Sequence, residues 1–223
     1  MVDITKIKLK INMNEKLKKI EEKYNQLCMI GSDINEHLPT IFRYAKDCES
    51  ILETGVRGVV SSWALSYGLL CNNSQNKRIL FNDISECNID EILDCLKDLN
   101  INTSFEWVNN LNLNLNERFD MVFIDTWHIY GQLKRELNKF APITNKYIIM
   151  HDTTIDEFYG ETIRWMGGES VAHKQSLETG IPASEILKGL GPAIQEFLDT
   201  NKDWVLKEKF TNNNGLTILE KKS

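Results

Sequence analysis

The chain lacks an apolar run of the ~20 residues needed to span a membrane. Its lysine-rich start, Met1 to Lys19, has no apolar stretch leading to a small-residue cleavage site, so no secretory leader is expected there. Positive charge is also scarce. Lys and Arg number 26 against 32 Asp and Glu, a formal net charge of −6. The basic residues are spread along the chain, whereas a nucleic-acid partner calls for a basic face to displace counterions. Neither nucleic acid nor a membrane is an expected partner. The five cysteines, Cys28, Cys48, Cys71, Cys87 and Cys95, are odd in number and show no CxxC spacing. That excludes a paired disulfide framework and a zinc cluster, and leaves reduced thiols in a cytoplasmic protein. There is no GxxxxGK[ST] phosphate loop, no GxGxxG dinucleotide turn and no internal repeat.

What is present is an ordinary globular composition, 42% hydrophobic and 26% charged over 223 residues, enough for one compact α/β core. Strand-like and helix-like segments alternate. Glu15 to Cys28 carries apolar residues at helical spacing, and Ser32 or Asp33 caps a second helix through Ala45. Strands are expected at 51–53, 78–83, 105–108 (weak), 119–125 and 147–152, with helices at 60–70, 89–99 and 130–140 between them. A helix at 193–198 and two strands at 204–210 and 215–220 follow. The continuous apolar run Met121 to Ile124 suits a strand covered on both faces. The pattern predicts a Rossmann-like, doubly wound sheet, mostly parallel, with helices on both faces and a C-terminal antiparallel hairpin. Residues 1–31 read as a helical extension and 32–223 as a single domain. The glycine-bearing stretch 156–191 has few periodic runs and is expected to be an irregular, substrate-side lid. The Asn-rich tract 109–116 alternates like a strand but is expected to be a loop, because Asn disfavours strands.

Two constellations carry chemistry. In Glu53-Thr54-Gly55-Val56-Arg57-Gly58 the first strand runs into a turn that suits small residues, with backbone N–H groups at the next helix start free to face a carboxylate. Glu53 lies inside this turn and Asp83 ends the following strand, where an acid suits the two hydroxyls of a ribose. The second constellation, Asp125-Thr126-Trp127-His128, follows the strongest strand and is matched by His151-Asp152-Thr153 after the next. Asp125 and Asp152 would emerge side by side at the sheet's carboxyl edge and offer oxygens to a hard divalent cation. His128 is placed to take a proton from a hydroxyl there. Trp127 offers a ring able to cover an adenine. His37 and His173 are expected to be structural or surface residues.

The turn from Glu53 to Ser62 resembles motif I of class I S-adenosylmethionine (SAM)-dependent methyltransferases. Within them it is most like the small metal-dependent O-methyltransferases: catechol-type enzymes, macrolide sugar enzymes and the cephalosporin-hydroxylase-like group. The resemblance runs from about Ser32 to Leu219. It implies that Glu53 and Gly55, with Arg57 and Gly58 in the same turn, hold the methionine end of SAM. By the same resemblance Ser61 binds its carboxylate, Asp83 takes the ribose, and Trp127 lies by the adenine. It further implies that Asp125 and Asp152 are metal ligands, magnesium being the expected ion, and that His128 is the general base. Two departures from the family pattern stand out: His151 and Thr153 flank Asp152 where many relatives carry an acid or amide, and Val59 stands where catechol-type enzymes have glycine.

The expected activity is methyl transfer to the free hydroxyl of a small molecule or glycan, with a sugar as acceptor. Two alternatives stand beside it: an iron hydroxylase using His151, His128 and Asp125, and a non-catalytic subunit that keeps the fold. The helix from Glu15 to Cys28 is open either to pack on a second copy, giving a homodimer, or to cover its own sheet.

Overall fold

The computed structural model describes residues 4–222, so residues 1–3 and 223 of the expected extension and domain lie outside the described residues. Among the described residues seven strands make up a sheet of mixed direction with flanking helices, and the chain divides into two compact units, the first ending at Val108 and the second beginning at Asn109.

In the first unit a long helix α1 (Ile4–Met29) precedes α2 (Leu38–Ala45). Ser32 Oγ accepts the N–H groups of Ile34 and Asn35 at 3.3 and 3.0 Å, which satisfies donors that the start of the second helical segment would leave open. The α-helix nevertheless starts later than expected: Asn35–His37 winds as a 3₁₀ helix, and α2 begins at Leu38 with His37, not Ser32 or Asp33, at its N-cap. The α1 helix packs within this unit: Ile20 is buried, and the Tyr24 ring lies 5.3 Å from both Phe42 and Tyr67. Strand β1 (Ser50–Thr54) is buried along its whole length and leads into α3 (Val60–Leu70). Strand β2 (Lys77–Asp83), α4 (Asp90–Leu96) and β3 (Ile101–Trp107) complete the unit. β2 pairs in parallel with β1 (Glu53 opposite Phe81) and with β3 (Asp83 opposite Trp107). β3 is seven residues long rather than the four expected.

In the second unit β4 (Phe119–Ile124), α5 (Tyr130–Phe140) and β5 (Thr144–His151) form a parallel crossover. The tract after β3 is a loop with one 3₁₀ turn, Asn110–Asn112. The stretch expected to be irregular holds three helices instead: α6 (Glu161–Trp165), α7 (Glu169–Thr179) and α8 (Ala183–Ile186). Ala172 of α7, Ile186 of α8 and Ile181 between those two helices are buried around Ile129. That small core outweighs the weak periodicity of the segment. Helix α9 (Leu190–Thr200) leads to β6 (Trp204–Phe210) and β7 (Leu216–Lys221). β7 lies between β5 and β6, antiparallel to both, as the expected hairpin. Among the described residues no helix is long and apolar enough to cross a membrane.

Candidate functional site

The first unit places the glycine turn at the carboxyl end of β1. Glu53 is fully buried, and its Oε1 accepts the Ser61 hydroxyl at 2.5 Å. Gly55 adopts φ +86°, a conformation that strains residues bearing a Cβ, and its N–H reaches the Asn82 carbonyl at 2.8 Å. Asp83, at the end of the neighbouring strand, accepts the Arg57 N–H through Oδ2 and the Ser85 N–H through Oδ1, both at 2.9 Å. The turn thus brings Glu53, Gly55, Arg57, Ser61 and Asp83 together. Arg57 takes part through its backbone, since its exposed guanidinium pairs with Asp33 at 2.9 Å. Gly58 has open space where a Cβ would be, the nearest atom lying 3.8 Å away on Val60. Besides Gly55, the turn holds Arg57 at φ +35° and Val59 at φ +60°, and the β-branched Val59 is the more strained of these two.

The second unit holds the other constellation. Because Ile124 pairs with Met150 in parallel register, Asp125 and Asp152 leave adjacent strands one residue apart in level. Asp152 also sits in the left-handed region, at φ +58°. Between the two carboxylates lies His128, only 8% exposed. Its Nε2 is 3.0 Å from Asp125 Oδ1, and its Nδ1 is 3.0 Å from Asp152 Oδ2. Two acids that sequence reasoning missed, Asp156 and Glu161, also approach Nδ1, at 3.4 and 3.3 Å. Both lie beyond the His-Asp-Thr motif and on no periodic pattern; the only signal was acids flanking Gly160 within reach of that motif. Arg164 clamps Asp156 in a bidentate pair at 2.8 and 2.6 Å. His151, fully buried behind the cluster, has its Nδ1 3.5 Å from Asp125 Oδ2 and from Asp152 Oδ1.

The electrostatics follow from this crowding. Burial opposes charge on His128, but Asp125, Asp156 and Glu161 outweigh it and hold the imidazole pKa well above its ordinary value. Burial would likewise raise Asp125, yet His128 and His151 hold its carboxyl well below the usual carboxylate range. Asp152 goes the other way, raised by burial against the pull of both histidines. Asp125, His128 and Asp152 each offer one donor atom within 4.8 Å of the others. Asp152 Oδ1 is buried without a hydrogen bond of ordinary geometry. Two carboxylates and an imidazole, with an oxygen left over, are a donor set that suits a divalent cation of the magnesium, manganese or iron type.

Trp127 is placed differently from its neighbours. Its ring is half-buried and packs on the Ile129, Ala172, Ile181 and Ile186 cluster. His37 is buried in the first unit's short 3₁₀ turn, while His173 lies exposed on α7. The backbone ties the helical stretch to the loop after β4. Glu161 N–H donates to the His128 carbonyl at 3.0 Å, and Tyr130 N–H to the Lys188 carbonyl at 2.8 Å.

No family model matches the sequence, and no curated relative does. Solved structures match the fold. An O-methyltransferase of Bacillus cereus, in complex with SAH, is 14% identical, with a TM-score of 0.54 over 93% of this chain and 91% of that one. The O-methyltransferase TomG of Streptomyces achromogenes, involved in tomaymycin synthesis and solved with SAM, is 12% identical, with a TM-score of 0.55 over 94% and 90%. The SAH-bound methyltransferase PaMTH1 of Podospora anserina is 15% identical, with a TM-score of 0.54 over 95% and 88%. This chain has the Rossmann-like fold of the class I SAM-dependent O-methyltransferases.

Proposed function

We propose that this protein is a SAM-dependent O-methyltransferase that acts on a hydroxyl of a sugar or glycoconjugate. The observation that carries the reading is the acid-bearing turn of the first unit. A buried Glu53 hydrogen-bonded to Ser61, Gly55 at positive φ and Asp83 at the next strand end stand where the resemblance puts the cofactor. Glu53 and Ser61 serve the methionine end and Asp83 the ribose.

In the second unit Asp125 and Asp152 would hold a divalent cation, as their donor set allows. Such a cation supplies positive charge that acidifies a hydroxyl and relieves the carboxylate charge that keeps His128 protonated. The imidazole then takes the hydroxyl proton, and the oxygen attacks the sulfonium methyl carbon as the carbon–sulfur bond breaks. S-adenosylhomocysteine leaves. The segment 156–191 acts as the acceptor-side lid, and its exposed Phe158, Tyr159 and Trp165 rings offer flat apolar faces of the kind a sugar ring stacks on.

The test is calorimetry with SAM, followed by a panel of glycosides and catechols assayed for S-adenosylhomocysteine release. Micromolar SAM binding and turnover on glycosides are expected. His128→Ala should keep SAM affinity and lose turnover. No SAM binding would overturn the reading in favour of a non-catalytic subunit. A second reading has its own observation: His128 and His151 both approach Asp125, at 3.0 and 3.5 Å, as two histidines and a carboxylate do in iron oxygenases. An iron(II)-dependent consumption of oxygen would favour it.

A further inference from the structure

Four carboxylates surround His128, and the proposed function uses only two of them. The other two, Asp156 and Glu161, come from the segment just after β5. With the Nδ1 side of His128 they form a second triad whose donor atoms all lie within 4.8 Å of one another. A cluster of acids alone would mean little. Here, however, Nδ1 is buried and makes no hydrogen bond of ordinary geometry, although oxygens of Asp152, Asp156 and Glu161 stand 3.0, 3.4 and 3.3 Å from it. A ring nitrogen ringed by oxygens and aligned with none of them has the arrangement of donors around an ion. Ligands about 2.1 Å from a cation and at right angles to one another are about 3.0 Å apart.

We infer that Asp156 and Glu161 are cation ligands, holding a divalent ion together with Nδ1 of His128 and leaving Nε2 as the nitrogen that takes the proton. Asp156 remains able to do so while clamped, because a carboxylate has about four lone-pair positions and Arg164 occupies one on each oxygen. The clamp fixes its orientation, as partners behind a metal ligand commonly do. Glu161 is held by its own backbone N–H on the His128 carbonyl, and its side chain is 17% exposed, which gives the ion a path from solvent. The ligands thereby come from the lid segment as well as from the sheet edge, so ion binding and seating of that segment are coupled.

This inference rests on the proposed function only in treating the centre as cation-binding. The experiment is titration of manganese(II) into the intact protein, with free ion followed by electron paramagnetic resonance and folding checked by circular dichroism and thermal melting. Wild type should bind. Glu161→Gln and Asp156→Asn should each weaken binding at least ten-fold, and Glu161→Gln should melt within a few degrees of wild type. If Asp156→Asn fails to fold, Glu161→Gln decides alone. If Asp125→Asn abolishes binding while Glu161→Gln binds like wild type, the inference is overturned and the seat at Asp125 and Asp152 stands. If Glu161→Gln weakens binding and Asp125→Asn does not, the inference stands and that seat falls. Failure of wild type to bind manganese at millimolar concentration overturns both.

Discussion

Ser61 and Glu53 are joined by a 2.5 Å hydrogen bond that crosses from the first turn of α3 to the end of β1. The carboxylate is fully buried, so the hydroxyl supplies part of what water would otherwise supply. Ser61→Ala should cost about 1–3 kcal/mol of stability, the usual loss when a buried polar group is deprived of a partner. It should also lower SAM affinity. Chemical denaturation and calorimetry measure the two effects separately, and a stability equal to wild type would contradict the first.

Val59 holds a left-handed backbone at φ +60° that a β-branched residue tolerates poorly. Strain of this kind costs on the order of 1–3 kcal/mol, against about 0.4–1 kcal/mol of extra chain entropy when glycine is introduced. Val59→Gly should therefore raise the melting temperature by a few degrees. A lower melting temperature would show that the valine side chain contributes more by packing than the strain removes.

Glu136, on α5, carries a buried carboxyl whose Oε1 receives Asn110, Thr126 and Gln132 at 2.5, 2.6 and 2.8 Å. Burial outweighs these hydrogen bonds and raises its pKa. A raised carboxyl pKa means that the folded state favours the proton. The stability it carries is complete below the unfolded value of about 4.3 and is lost as pH rises through the folded value. The neutral variant Glu136→Gln should thus gain on wild type as pH increases from 4.5 to 8, measured by denaturant midpoints. A constant difference across that range would refute the shift.

Gly189 and Gly58 should respond unequally to alanine. A Cβ at Gly189 would lie 2.2 Å from the Asp156 carbonyl oxygen and 2.7 Å from the Glu157 backbone, so the loop carrying Asp156 must move. Gly189→Ala should cost about 1–3 kcal/mol, as overpacking does, and should weaken manganese binding. Gly58→Ala meets nothing closer than 3.8 Å and should leave stability within about 0.5 kcal/mol, although Gly58 belongs to the motif. Thermal melts of the two variants side by side check the contrast.

Helices α3 and α5 were legible in the sequence to the residue, because each fills the interval between a strand's end and the next loop. Strand β3 was read short because Asn102, Thr103 and Ser104 look polar, while the structure pairs all of Ile101–Trp107 with β2 and leaves most of that face outside the core. Helix α7 was missed because Val171, Ala172 and Leu177 form no stripe; Ala172 alone is buried. In the candidate site, Asp125, His128 and Asp152 were legible because strand ends project loop residues to one edge. Asp156 and Glu161 were not, since their approach to His128 depends on the path of the chain after β5. The Asn tract was correctly read as a loop, but nothing local foretold that Asn110 would be buried against Glu136.

Strand β7 is synthesised after β6 yet is inserted between β6 and β5, with Leu216 opposite His151. A nascent chain that has already made β5 and β6 still exposes an unpaired edge of β5 until residues 216–221 have left the ribosome. Open edges of that kind recruit strands from other molecules. Yield of this protein in cells should therefore depend on translation speed through the final hairpin and on chaperone supply. Slowing synthesis there with rare codons should increase the insoluble fraction, even though the finished protein is unchanged.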